Sequence, residues 1–320
     1  MMSTLKHGTS LKCYWGNRNN LMEKLSRIIR SISQHVKLEP QFLIPKLIYS
    51  LFKSNLKFGF DRYTYASCLY ESKFGCQGLT FWNYTKNGLF LICEGAELFL
   101  RPFPSSDLFV FRQVFVDLQY RPLFNYFDFS NFVRPLRIID AGANIGLSSV
   151  FFFNEIQNRL NLDVSIYAIE PDNDSFNSLV RNTASLDTKI IPKKAALWHA
   201  KTRLSLIKSA NYFSEWGVKV SNELDGNGLV DTKTVAGIME EMEWDEIDIL
   251  KIDIEGSEFE VFLNRNADIS FLYKVRLIAI EIHNNEGDKQ AIVDVLNNYG
   301  FDVFDHGELT FALRSKNYTN

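Results

Sequence analysis

The sequence predicts an α/β fold: a doubly wound, seven-stranded and mostly parallel sheet with an antiparallel edge hairpin, preceded by a helical and small β N-terminal region. Three observations predict it. After Pro135, short apolar runs alternate with helical stretches, the pattern of strand and helix units that cover a parallel sheet on both faces. The first run ends in a glycine turn, Asp140-Ala141-Gly142-Ala143-Asn144-Ile145-Gly146. The last two runs are separated by Asp305 to Glu308 alone, too short for a crossover, so they form a hairpin and one strand runs antiparallel.

The chain begins basic. Residues 1–60 carry ten Lys/Arg against two Asp/Glu, which leaves 25 against 36 in the remainder of a chain of net charge −3. Leu21, Leu25, Ile28, Ile29, Ile32 and Val36 recur at helical spacing with Lys24, Arg27 and Arg30 between them, an amphipathic basic helix. A second helix is predicted from Gln41 to Phe52. These helices dock on the rest of the chain, pair with another subunit or rest peripherally on an anionic membrane surface. Residues 1–77 are thus read as a basic helical region and 78–130 as a small β and helix accessory element. In the latter, Leu79 to Tyr84 and Leu89 to Leu100 read as extended, and Ser105, Ser106 and Asp107 offer caps to a helix through Phe115.

From residue 131 onward the predicted strands are Arg137 to Asp140, Ser165 to Glu170, Lys189 to Leu197, Asp248 to Asp253, Val275 to Ile282, Phe301 to Phe304 and Leu309 to Ala312. The 46% apolar and 23% charged fractions are those of an ordered globular chain, and the 27 Phe suit a thick core or, as the lesser alternative, an apolar substrate cleft. No run approaches the roughly 20 apolar residues of a membrane span, and no leader with a cleavage site is read, so a cytoplasmic location is expected, with peripheral contact at the inner membrane surface as an alternative for the basic helices. Cys13, Cys68, Cys76 and Cys93 lack CxxC or zinc spacing and read as reduced structural thiols. The acidic body disfavours nucleic acid.

Chemistry concentrates at strand ends. The glycine turn lets the backbone approach a ligand, and the helix after it offers free amides, so a nucleotide-like ligand is expected there. The second strand ends in Glu170-Pro171, a carboxylate placed to accept from both hydroxyls of a ribose. The fourth ends in Asp253-Ile254-Glu255-Gly256 and the fifth in Glu281-Ile282-His283. Period-two geometry puts Asp253 with Glu255, and Glu281 with His283, on shared faces if the chain stays extended.

Asp140 to Gly146, Glu170-Pro171, Asp248-Ile-Leu-Lys-Ile-Asp-Ile-Glu-Gly256 and Glu281-Ile-His283, in that order, resemble the motif series of FkbM-type methyltransferases. The resemblance runs from Leu100 to Phe311. It takes in Leu100-Arg-Pro, Ser106-Asp107 and Val110-Phe-Arg-Gln-Val-Phe-Val through Tyr120, and departs at Phe103-Pro104 and at Gln119, where a Gly-Thr turn and an acid are common. It implies a class I, Rossmann-like domain over 131–320 that binds S-adenosyl-L-methionine. By that likeness Gly142 and Gly146, with Asn144 on the same loop and Asp140 beneath, border the methionine end. Glu170 holds the ribose, Ala196 and Leu197 border the adenine, and Asp253 reaches both cofactor and acceptor. Family members commonly methylate oxygen, often on sugars.

The reading is therefore an S-adenosylmethionine-dependent methyltransferase acting on a hydroxyl of a small-molecule or glycan acceptor. Asp253 or His283 serves as base, the other orients the acceptor, and Glu281 belongs to the same catalytic set. No resident metal is required; the alternative is a divalent ion on Asp253, Glu281 and His283. Rival readings are an NAD(P)-dependent oxidoreductase, whose loop would be GxGxxG, and a non-catalytic binding protein.

Overall fold

The structure is a computed structural model that describes residues 62–126, 129, 132, 134–186, 188–208, 218–221 and 229–315. The predicted helices at 21–36 and 41–52 lie outside the described residues. The chain divides into two units, Met1–Glu71 and Ser72–Asn320. Of the first, the description covers the leading part of helix α1 (Arg62–Gly75).

The second unit opens with three antiparallel strands, β1 (Leu79–Thr85), β2 (Gly88–Cys93) and β3 (Ala96–Leu100), paired in that order. The predicted second stretch, 89–100, is two strands, because Glu94 and Gly95 both take positive φ and turn the chain. A short helix α2 (Asp107–Phe111) continues into a π-helical turn over Arg112–Val116, and α3 (Arg121–Tyr126) follows. The expected serine caps on α2 are absent. Ser106 makes no cap bond, Ser105 Oγ donates to the Arg101 carbonyl (2.8 Å), and the buried Asp107 carboxylate accepts from Arg101 N (2.7 Å) and Nη2 (2.7 Å). Desolvated charge is thereby paired, and α2 is pinned to the end of β3.

The central sheet has seven strands. In chain order they are β4 (Leu136–Ala141), β5 (Val164–Ile169), β6 (Ile190–Lys193), β11 (Ile247–Ile252), β12 (Val275–Glu281), β13 (Phe301–His306) and β14 (Leu309–Arg314). The intervening numbers belong to a separate four-stranded sheet of β7 (Ala196–Leu197), β8 (Arg203–Lys208), β9 (Val218–Ser221) and β10 (Leu229–Lys233), ordered β7-β10-β8-β9. In space the central order is β13-β14-β12-β11-β4-β5-β6, and only the pairings made by β14 are antiparallel. The predicted strand from Lys189 to Leu197 is corrected. It is two strands in two sheets, with Ala196 and Leu197 paired to Thr232 and Lys233. The sheet containing β8, β9 and β10 has no counterpart in the sequence reading.

Every residue of β11 is buried, as a central strand covered on both faces requires. One face packs Ile139, Tyr167, Leu250 and Ile278 with Ile238 of α6 (Val235–Glu241), Phe262 of α7 (Glu258–Leu263) and Ile292 of α8 (Lys289–Asn298). Each such side chain contributes about 1.5–3 kcal/mol by burial. The phenylalanines pack with one another: Phe111 stacks on Phe115 at 5.3 Å, and Phe115 meets Phe151 of α4 (Leu147–Phe153) edge-on at 6.0 Å. The small sheet is held by α5 (Asn173–Thr183), where Asn182 accepts from Phe99 N (2.8 Å) and donates to Phe99 O (3.1 Å) and Ile145 O (2.9 Å).

Gly142 positions the turn after β4. Its φ is +73°, and a Cβ there would fall inside the Asp253 carbonyl oxygen. Only glycine lets the two strand ends approach this closely. Gly142→Ala is expected to cost about 4 kcal/mol or more, or to block folding, since it adds overlap to backbone strain. Gly95 shares the strained φ (+84°) but a Cβ there meets nothing within 4 Å. Gly95→Ala should therefore cost about 1–2 kcal/mol. Urea midpoints of the two variants test this, and equal losses would contradict the close approach.

Candidate active site

The carboxyl ends of β4, β5, β11 and β12 share one rim. Gly142 N and Ala143 N both donate to Ile169 O at 3.0 Å, and Asp253 N donates to Ala141 O at 3.1 Å, so the glycine turn is tied to the ends of β5 and β11. Glu170 completes the tie: Oε2 accepts from Asn144 N (2.9 Å) and Oε1 from Asp172 N (2.8 Å). Gly142, Glu170 and Asp253 thus adjoin along one edge of one sheet, at the crevice where such sheets take ligands. Burial pushes the Glu170 carboxyl up to about 7 against the pull of those two amides.

Lys251 lies beneath this rim, 2% exposed. Its ammonium donates to Gly142 O (2.6 Å) and Ala141 O (3.2 Å), pairs with Asp140 Oδ1 (3.2 Å) and stands 3.8 Å from Asp253 Oδ2. Burial alone would depress its pKa, but Asp140, Tyr120 and Asp253 raise it overall, so it stays charged. Asp140, fully buried, also accepts from Ser148 Oγ and Ser149 Oγ at 2.6 Å each, fixing the start of α4.

Above Lys251 opens a cleft of about 280 Å³. Of the predicted site residues, Gly142, Asn144, Asp253, Glu281 and His283 line it, joined by Glu255. Asp140, Gly146, Glu170, Ala196 and Leu197 do not. Gly146 is buried against α5, where a Cβ would meet Leu179 Cδ1 at 2.8 Å, so it serves helix packing. Ala196 and Leu197 are 3% and 2% exposed and lie within apolar clusters. Gln113, Gln119 and Tyr120 line the cleft from the accessory element. No phenylalanine is among its lining residues.

Asp253 and Glu255 do not share a face by strand periodicity. β11 ends at Ile252, and Glu255 (φ +56°) and Gly256 (φ +97°) turn the chain back toward the cleft. His283 is ringed by carboxylates: Nδ1 lies 3.2 Å from Glu258 Oε1, and Nε2 lies 3.3 Å from Glu255 Oε2 and 3.9 Å from Glu281 Oε1. Burial would lower its pKa, but the bonds to Glu255 and Glu258 push it up to about 11, making it an imidazolium at neutral pH. Glu258, fully buried, also accepts from Ile254 N (3.1 Å), so the ring has a fixed anchor. Asp253 is shifted upward by burial, against Lys251 and His283.

Sequence reasoning missed Lys251 and Glu258. Lys251 had a visible signal, a lysine inside an otherwise apolar run that leads into Asp253. The donor atoms of Asp253, Glu255 and His283 lie within 4.8 Å of one another and could hold a cation; Glu255 stands where the sequence reading put Glu281.

Residues 140–318 match the methyltransferase FkbM domain. Methyltransferase sdnD of Sordaria araneosa is 25% identical over 226 residues, 61% of this chain and 82% of its own length. Hexuronic acid methyltransferase AglP of Haloferax volcanii is 27% identical over 146 residues, 45% of this chain and 54% of AglP. A crystal structure of methyltransferase FkbM from Methylobacillus flagellatus KT aligns with a TM-score of 0.38 at 16% identity, over 59% of this chain and 46% of that one. No helix among the described residues is long and apolar enough to cross a membrane.

The crowded carboxylates give the fold a pH signature. Burial first, then the neighbouring Asp253, push Glu281 from its ordinary 4.5 up to about 8. The folded chain then holds this proton more tightly than the unfolded chain, so stability falls as pH rises from about 4.5 to about 8. Glu281→Gln should flatten that decline, with the gap in melting temperature between pH 5 and pH 8 shrinking by about 3 °C. Melting curves that keep the wild-type gap would refute the crowding.

Proposed function

The chain belongs to the FkbM methyltransferase family and is a methyltransferase, and on that premise we propose that it methylates a hydroxyl of a sugar or glycan-related metabolite using S-adenosyl-L-methionine. One observation carries the reading: Gly142, Glu170 and Asp253 adjoin on a single rim, with an open cleft beside them. Family membership sets aside the oxidoreductase and non-catalytic alternatives.

The residues fit the cofactor. The Asn144 Oδ1 atom is buried without a hydrogen-bond partner among the described residues, on a turn whose Gly142 and Asn144 both line the cleft. Asn144 and Gly142 would border the methionine end. Glu170, whose oxygens each accept one backbone amide, keeps lone pairs for ribose hydroxyls. When bound, the cofactor supplies a sulfonium methyl that is already electrophilic.

The protein's part is alignment and proton removal. Asp253 is the base of this proposal. Its raised pKa moves it toward neutrality, where a base is most effective, and its side chain keeps 30% exposure to the cleft. His283, held as a cation with both its N–H groups taken by Glu255 and Glu258, acts on the acceptor oxygen through its charge, and Glu281 beside it belongs to the same set. Support for a sugar acceptor comes from the name of the AglP relative. A second reading places a divalent ion on Asp253, Glu255 and His283 to acidify the hydroxyl. It needs a neutral His283, which the flanking carboxylates oppose.

Calorimetric titration should show heat with S-adenosylhomocysteine and none with NADH; the reverse would overturn the cofactor assignment. Asp253→Asn is expected to lower kcat about 10²–10⁴-fold. Wild-type turnover by that variant would remove Asp253 as base. Labelled methyl transfer to hexuronide and neutral hexoside glycans tests the acceptor, and transfer to amines alone would sink the sugar reading while leaving the cofactor heat intact. Turnover unchanged by a chelator removes the metal reading.

A further inference from the structure

Outside the lining of the cleft, the accessory sheet holds two thiols in contact. Cys76 follows α1, and Cys93 closes β2. Strand pairing brings them together: Leu79 is registered opposite Cys93, and Glu94 N donates to Gly78 O at 2.9 Å, so the residues just before β1 run alongside the end of β2. The two sulfurs lie 2.8 Å apart, inside ordinary contact and less than 1 Å beyond a disulfide bond of about 2.05 Å. Both are free and buried, and both also reach the Gln77 carbonyl, at 3.4 and 3.7 Å. Cys93 is fully covered while Cys76 is 9% exposed.

We propose that Cys76 and Cys93 form a thiol pair that closes reversibly to a disulfide with a small-molecule disulfide as oxidant. The Cys76 thiolate attacks the oxidant's sulfur, forming a mixed disulfide and expelling one reduced thiol. The expelled thiolate takes the Cys93 proton, and Cys93 attacks the Cys76 sulfur, which expels the second thiol. Two protein thiols are oxidised by two electrons, and one external disulfide is reduced to two thiols. Cys76 is the entry point because it is the less deeply buried partner. The Cys93 S–H donated to it lowers its pKa and favours the thiolate.

The full chain incubated with oxidised glutathione, unfolded and assayed for thiols, tests this. Two of the four thiols should disappear, with a mass loss of about 2 Da, no glutathione retained, and the peptides bearing residues 76 and 93 joined under non-reducing digestion. Cys93→Ala should instead trap one glutathione on Cys76, because the resolving thiol is gone. Four unreacted thiols, a wild-type chain that keeps a glutathione adduct, or a bridge to Cys13 or Cys68 would each overturn the proposal. Because the wild-type peptide map decides the matter, poor folding of the variant would not shelter it.

Discussion

A single buried ammonium organises the rim of the central sheet. Lys251 takes four oxygens from two adjacent strands: the carbonyls of Ala141 and Gly142, and the carboxylates of Asp140 and Asp253. An unpaired lysine at this depth would lose its proton or unfold its surroundings, and an unpaired Asp140 would do the same in reverse. Neither can be replaced alone. Through the two serines on Asp140 the constraint reaches the first turn of α4, and through the Gly142 carbonyl it holds the loop over which a ligand would lie.

Above the ammonium, the cleft gathers three carboxyl groups. Asp253, Glu255 and Glu281 face it, and the imidazolium of His283 stands among them as counter-charge. Burial and mutual repulsion push the Asp253 carboxyl up and the Glu281 carboxyl up to about 8, an arrangement useful to a group that must accept a proton. The opposite wall comes from outside the family match. Gln113, Gln119 and Tyr120 belong to the accessory element, so the lining of the cleft is assembled from two stretches of chain.

Much of this was legible before any coordinates. Seven apolar runs forecast the seven central strands, and the acids at their ends forecast the rim, because a strand buried on both faces writes a continuous apolar run that stops where the ligand crevice begins. What was illegible has physical causes. β7 is two residues long and carries no periodicity, so the break at Pro192, Lys193 and Lys194 between two short apolar pieces did not by itself announce a change of sheet. Glu255 arrives through a left-handed turn, which strand spacing cannot foresee. Glu258 reaches His283 across 25 residues of sequence, a long-range pairing that no local pattern encodes.

The placement of β14 between β12 and β13 bears on how the molecule is born. The hairpin closes by sliding its later strand inward, so the flank of β12 waits for residues 309–314 before its amides and carbonyls find partners. On the ribosome, everything up to β13 can emerge while the sheet still presents an open, apolar margin. Assembly is therefore gated from the far end of the domain, and a nascent chain halted shortly before Leu309 is the form most exposed to sticking to its neighbours.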